Sequence, residues 1–457
     1  MNATSTRRVV VEPEGEGVVS HVGLHALGCL ADALGLGETL SARIPATGER
    51  LPIHDRGKVL VHGMLMLAGG GESCADIEYV RQEEDLFAEV PSDSTLYRVF
   101  TNELSSQVLA QVKEGFKQTR ELVWKKARLT DAKDPVVLDI DASLVEVHSE
   151  HKEGTGANYK GGFGFHPMLC FCDNTSEALS GLLRPGNAGA NDASDHLHVL
   201  DEAISQLPDR IAAGHKQRDD PSSVRRKVIV RTDSAGASYD FVNGCRARNI
   251  GFCVAARSNA QVYGAISKIE DDEIRWRPAR RQDGKKKRGS AVAEATDLVD
   301  LRKWPSGTRL IIRREPLHPG AQQSLFPSQE YRYWGHYTDQ SGNPVERDRF
   351  MRAHAHVEDD IERLKDSGLE RYPFSDLDAN RAWLAEVCFA ADLVRWFQIL
   401  CLKGKLSVAE PKALRWRIFH APARMVRSGR QNIVRILGGW PDAQTLVSAY
   451  RRIVLIT

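Results

Sequence analysis

Apolar and polar positions along the chain change period near residue 135. Before it, HALGCLADALGL (25–36) and PSDSTLYRVFTNELSSQVLAQVKEGF (91–116) repeat their apolar residues at helical spacing, the second opening on Ser and Asp that suit a helix start. No helix-turn-helix stands out. After it, VVLDIDASLVEVHS, HPMLCFCD and ALSGLLR read as strands, with a glycine-rich loop (EGTGANYKGGFGF) and the turn-like NTSE between them. HLHVLDEAISQL then reads as a helix, KVIVRTD as a strand, ASYDFVNGCRARN as a helix and GFCVAAR as a strand. From about 258 to 330 the alternation breaks into short β-like pieces such as EIRWRP and TRLIIRR, which predicts an inserted β-rich subdomain. Further on, VEDDIERLK is helical in period. AWLAEVCFAADLVRWFQILCL is apolar but interrupted by Glu386, Asp392 and Arg395, so it reads as a buried helix and not a membrane span.

The first strand poses a chemical problem, because Asp139 and Asp141 sit inside an otherwise β-branched, apolar run. Alternation puts both on one face and Leu138 and Ile140 on the other. A carboxylate in a dry core must find a partner or a metal. Asp233 ends KVIVRTD where the chain turns toward a helix, at the carboxyl edge where open α/β sheets place their sites. On a third element, the helical RAHAHVEDDIERLK (352–365), His354, Glu358 and Lys365 fall along one stripe, so Glu358 can add a third carboxylate and Lys365 can meet a phosphate. Asp359, Asp360 and Glu362 are rivals for that role. Three carboxylates with open positions suit Mg²⁺, and a pair of such ions serves both sides of an in-line displacement at phosphorus. His354 and His356, two apart on a helix, point away from each other and make a poor zinc pair.

Charge changes the picture at two places. The net charge is only +1, yet residues 401–457 hold eleven Lys or Arg against Glu410 and Asp442, and RWRPARRQDGKKKRG (275–289) is a second basic run. Basic charge interleaved with Trp276 and Trp416 suits a phosphate backbone. The eight cysteines are scattered without zinc-like spacing and read as reduced core residues, Cys170 and Cys172 on one side of a strand included. The opening MNATSTRRVVVEPEGEG has no apolar segment of a secretory signal, which gives a cytoplasmic expectation.

Several stretches taken in order are similar to one family: LDIDAS, YKGGFGFHPML, LRPGNAGAND, VRTDSAG, VEDDIERLKDSGLERYPF with Asn380 downstream, and LRWRIFHAPARMVRSGR. The chain resembles DDE transposases of bacterial insertion sequences, most closely the IS1380 family. The order of strands and helices matches a ribonuclease H-like α/β core. The implied layout is a helical DNA-binding or dimerisation region (1–130), a core in two parts (131–257 and 331–400, the second with the catalytic Glu helix), the β-rich insertion (258–330) and a basic helical C-terminal region (401–457). The resemblance implies Asp141, Asp233 and Glu358 as catalytic and metal-holding residues, with Asp139 a supporting neighbour. It implies two Mg²⁺ ions, replaceable by Mn²⁺, acting on double-stranded DNA at the element's terminal inverted repeats and on target DNA. A homodimer on DNA at the nucleoid follows, with no membrane. DNA contacts are expected from Lys365, His354, Arg415, Arg417, Arg424, Arg427 and Arg430, and Trp276, Trp304 or Trp334 is available to stack on an unpaired base. Met351 and His354 occupy positions that are Tyr and Arg in the related IS4-type pattern. A transposase-derived DNA-binding protein without chemistry and a nuclease without strand transfer are the competing readings.

Overall fold

The chain is described by a computed structural model over residues 17–45, 53–149, 151–317 and 331–456. Helices α1 (Val22–Ala33), α2 (Arg56–Gly69) and α3 (Ser106–Lys126) precede the change of period. The long periodic stretch from 91 is two helices, not one. Ser92 caps Asp93–Arg98, and after a wide turn Ser105 accepts the Val108 N–H to start α3. Such side-chain oxygens satisfy amides that the first helical turn leaves open.

A nine-stranded mixed sheet follows, with its crossover helices. In chain order it comprises β1 (Val136–Ala142), β2 (Met168–Cys172), β3 (Glu177–Leu182), α4 (Ala193–Gln206), β4 (Val228–Thr232), α5 (Tyr239–Arg246), β5 (Gly251–Ala255), α6 (Ala260–Ile269), β6 (Arg277–Arg280), β7 (Lys286–Glu294), β8 (Arg309–Pro316) and β9 (Tyr331–Thr338). The spatial order is β6-β7-β8-β9-β5-β4-β1-β2-β3. β1 pairs in parallel with β4, and β4 with β5, while the other neighbours are antiparallel. The glycine-rich loop supplies two of three very short strands that form a separate small sheet, the third being Val145–Glu146.

The β-rich stretch expected over 258–330 supplies β6, β7 and β8, and with β9 these form a meander that joins the central sheet through β9 against β5, Tyr337 opposite Val254. Antiparallel neighbours need only short connections, so a local meander lengthens a sheet edge without a crossover.

The chain continues through α7 (Pro344–Arg352), α8 (His356–Leu364), α9 (Leu377–Cys401), β10 (Ala423–Ser428), β11 (Gln431–Ile436) and α10 (Ala443–Val454). The C-terminal region is therefore not simply helical. β10 and β11 form a hairpin over a turn in which Gly429 takes φ +62°, and β10 also pairs with the two-residue strand Val18–Val19. Val426, Ile433 and Val434 explain why this stretch prefers strand to helix.

Period-2 alternation assigns the two faces of the sheet to two cores. Leu138, Ile140, Cys170 and Cys172 pack with α4 and α5. Leu169, Phe171 and Ala178 pack with α9, and that core runs on without a break into α1, α2 and α10. The change of period at residue 135 thus marks a change of element and not of core. All eight cysteines are free thiols, and seven are buried. No helix among the described residues is long and apolar enough to cross a membrane.

Candidate active site

β1 and β4 lie side by side in parallel, and their register sets Asp139 opposite Arg231 and Ile140 opposite Thr232. The Arg231 guanidinium grips the Asp139 carboxylate with two bonds, Nε to Oδ1 at 2.8 Å and Nη2 to Oδ2 at 2.5 Å. Both side chains are almost wholly buried. The bidentate pair solves the problem of an acid in a dry strand, since a charge inside a protein survives when paired and fully hydrogen-bonded. Arg231 also donates to the Phe350 carbonyl of α7 at 2.8 Å and reaches Asp173 Oδ2 at 3.1 Å. Asp173 in turn meets His356 Nδ1 at 2.9 Å, and Asp139 Oδ1 meets His354 Nδ1 at 2.7 Å. One arginine therefore ties β1, β4 and the helices before Glu358 into a single frame.

Above this frame, at the carboxyl ends of the two strands, stand Asp141 and Asp233. Asp141 is half-buried and accepts the Ala142 N–H at 2.8 Å; Asp233 is exposed and accepts the Ala235 N–H at 2.8 Å as a cap. Burial raises the Asp141 carboxyl pKa, and the charges of Asp233 and Glu358 push the same way, against the Ala142 amide and His354. These four side chains share one electrostatic neighbourhood. Glu358, in the first turn of α8, is exposed and has no hydrogen-bond or ion-pair partner among the described residues. Of its sequence rivals, Asp360 is buried beside Arg363, Glu362 pairs with Lys365, and Asp359 does not figure among the charges acting on Asp141. Among the described residues no three His, Cys, Asp or Glu side chains stand close enough to enclose a metal ion. The donor chemistry that Asp141, Asp233 and Glu358 offer, hard carboxylate oxygen, is the kind magnesium takes.

Other expected contacts fall in different surroundings. His354 is not an open phosphate ligand: it sits in a 3-10 turn before α8, 9% exposed, with Nδ1 committed to Asp139. The expected helical stripe is also broken, because α8 gives way at Lys365 to a wide turn, where Lys365 Nζ bonds Glu362 at 2.7 Å. Arg415 is part-buried and donates to the Ala68 and Leu67 carbonyls that end α2, and also to Asp366 O. Arg417 forms a two-bond pair with Asp442. Arg424, Arg427 and Arg430, with Arg435, are exposed on the β10–β11 hairpin and have no partner among the described residues.

The tryptophans differ as well. Trp276 is buried under Arg314, and Trp304 stacks on Tyr337 with centroids 4.1 Å apart. Trp334 is 39% exposed, with Arg313 and Arg332 against its ring.

Sequence reasoning missed Arg231. Its signal was present: it precedes Asp233 by two residues, as Asp139 precedes Asp141, so on parallel strands the two inner positions carry opposite charge in phase.

Residues 1–456 match the family described as "Transposase DDE domain group 1". None of the curated proteins matches the chain. Among solved structures, the piggyBac transposase synaptic complex with hairpin DNA is similar at 11% identity with a TM-score of 0.40, over 81% of this chain and 75% of that chain.

Proposed function

The chain belongs to the transposase DDE domain group 1 family, and from that premise we propose a cut-and-paste DNA transposase of the IS1380 type that cleaves at the ends of its element and joins the freed 3′-hydroxyl to target DNA. The observation that supports this most is the stacking of two in-phase pairs: Asp139 with Arg231 inside the sheet, and Asp141 with Asp233 at its edge, with Glu358 acting on Asp141. The strand order β3-β2-β1-β4-β5, antiparallel through β1 and parallel beyond it, supports a ribonuclease H-like core.

In this reading Asp141, Asp233 and Glu358 hold magnesium, which manganese can replace. When bound, a pair of such ions supplies Lewis acidity at the scissile phosphate. The chain's own contribution is alignment. Arg231 keeps β1, β4 and α7 in register, and the Ala235 amide orients Asp233. The partnerless Glu358 remains free to turn toward the strand ends. Arg424, Arg427, Arg430 and Arg435 of the hairpin contact the DNA backbone, whereas Arg415 and Arg417 brace the fold. Trp334 is the stacking ring that the meander offers to an unpaired base. Two copies act together on a pair of element ends.

The test is incubation of the purified protein with Mg²⁺ and a plasmid that carries the element between its flanking sequences. Excised element and joined products with 3′ ends in target DNA are expected. Cleavage without joining would reduce the activity to that of a nuclease. Replacing the four hairpin arginines with Ala should flatten the slope of log affinity against log salt by about 0.9 per lost phosphate contact. An unchanged slope would remove the hairpin from the interface.

A further inference from the structure

A polar cavity of about 440 Å³ opens at the inner end of the basic hairpin, within the roughly 300–1,000 Å³ range of small-ligand sites. Its wall is made of rings. His21 stands 4.8 Å from His420 and 5.2 Å from Tyr79, centroid to centroid. Its floor is the backbone of Gly69–Gly71, where a Cβ on Gly69 would lie 2.1 Å from the Tyr79 hydroxyl and Gly70 takes φ +110°. Gly69 lets the Tyr79 hydroxyl close onto this backbone, and Arg415 braces it through the Ala68 carbonyl.

The wall is held in place by hydrogen bonds at the polar atoms of its rings. His21 has φ +61°, unusual for a residue with a side chain, and its Nδ1 meets Ser20 Oγ at 2.7 Å, while Ser20 is in turn fixed by Glu83. Tyr79 donates to the Met66 carbonyl. His420 Nε2 lies 2.9 Å from Gly69 O, and because a carbonyl only accepts, Nε2 carries the proton. Burial favours the neutral ring, so Nδ1 is an acceptor. Asp76 uses Oδ2 for the Glu72 and Ser73 amides, leaving Oδ1 as another acceptor.

What lies beside the cavity indicates the ligand. His21 follows the strand Val18–Val19 that pairs with β10, and His420 precedes β10 by three residues. On the hairpin Arg424 and Arg435 are directly opposite, so two like charges share one face without an acid between them. Such a pair costs stability unless an anion lies across it. The cavity itself is lined by Glu72, which pairs with Arg371, and by Asp76, whose free Oδ1 accepts N–H donors. Backbone charge outside and ring surface with acceptors inside match the two parts of a nucleotide.

We propose that this cavity captures one unpaired nucleobase of DNA, packed against the wall of His21, Tyr79 and His420, while the hairpin arginines hold the adjoining phosphates. The proposal rests on the reading of the chain as a DNA-binding transposase. It adds a base site outside the carboxylate cluster and apart from Trp334.

The test uses the full chain and two duplexes of equal length, one fully paired and one with a single bulged 2-aminopurine. The wild type should bind the bulged duplex about tenfold more tightly, as packing of a base against rings implies, and should quench its fluorescence. His21→Asn keeps a residue that tolerates positive φ, and His420→Gln keeps a donor for Gly69. Together they should bring the preference to about one and abolish the quenching. Tyr79→Phe retains the ring and should retain both effects. Equal wild-type affinity for the two duplexes, or a preference that survives His21→Asn with His420→Gln, overturns the base site alone. Absence of binding to either duplex overturns the DNA-binding reading together with it.

Discussion

Two groups of acids flank the same sheet and are treated in opposite ways. On one side Glu177 at the start of β3 and Asp392 in α9 are wholly buried around Arg120 of α3. Arg120 reaches Glu177 Oε1 at 3.0 Å and Asp392 Oδ2 at 2.5 Å, and Trp124 and Trp396 donate to Glu177 at 2.7 Å each. Against the desolvation of burial, the two carboxylates hold the guanidinium charged and raise its pKa. Asp392 Oδ1 takes the Ala178 amide as well. On the other side, Asp141, Asp233 and Glu358 lie at the strand ends with two backbone amides between them and no ion-pair partner among the described residues. The first group is a closed account of donors and acceptors and fastens the helical region to the sheet. The second is left electrically incomplete, as the proposed metal site requires. The difference teaches that the number of acids at a place says little, and the number of unanswered lone pairs says much.

The sharpest way to break the comparison is to remove acids from the open group. Asp141→Ala, Asp233→Ala or Glu358→Ala should each lower Mg²⁺-dependent cleavage by about a thousandfold or more, since a metal ion supplies several kcal/mol to a phosphoryl transition state. Thermal stability should hold or rise as like charges are separated. Substantial cleavage by any one variant would exclude that residue from the machinery.

The closed group should behave in reverse. Arg120→Met leaves Glu177 and Asp392 buried without their cation and should cost about 3–5 kcal/mol of stability by chemical denaturation. Replacing all three with apolar residues of similar volume should recover most of that loss. If the single substitution were as mild as the triple, the cluster would not be an interlocked unit.

Between the two groups stands Arg231, buried like the first and placed beneath the second. Arg231→Lys keeps a charge but cannot grip Asp139 with two bonds and reach Phe350 O as well. Cleavage should fall by about 10–100-fold, the usual effect of losing support behind a metal ligand, with affinity for DNA unchanged. A matching loss of affinity would mean that Arg231 supports the whole surface and not the carboxylates.

The smallest effect is expected at Glu386 of α9, fully buried with no hydrogen-bond partner among the described residues. Burial raises its pKa well above the ordinary carboxylate value, so the folded chain keeps a proton there that the unfolded chain releases. Its contribution to stability is therefore greatest at low pH and is lost as pH rises from the unfolded toward the folded pKa. Glu386→Gln should remove that decline and stabilise the protein at neutral pH relative to wild type. A parallel pH dependence in the two proteins would show that Glu386 ionises in the folded state.

Much of this arrangement was legible in the residues themselves. The strands around Asp141 and Asp233 announce themselves through β-branched runs, and alternation alone puts Asp139 and Asp141 on one face. Short-range periodicity is a property of the backbone, so these elements follow from sequence. What periodicity could not say is which charges would meet. Arg231 and Asp139 are 92 positions apart, and Arg120 and Asp392 are 272 apart, so their pairing depends on strand register and helix docking. For the same reason the arginines of the basic tail look alike in sequence and yet diverge. Arg415 closes the end of α2, Arg417 meets Asp442, and Arg424, Arg427 and Arg430 ride out on a hairpin whose β-branched residues outweighed the helical reading. The cavity of His21, Tyr79 and His420 is the extreme case: three rings from distant segments become one wall only when the strand Val18–Val19 pairs with β10. Local pattern determined most of the elements and the candidate acids, whereas pairing across the folded chain decided which charges were satisfied and which were left unpaired.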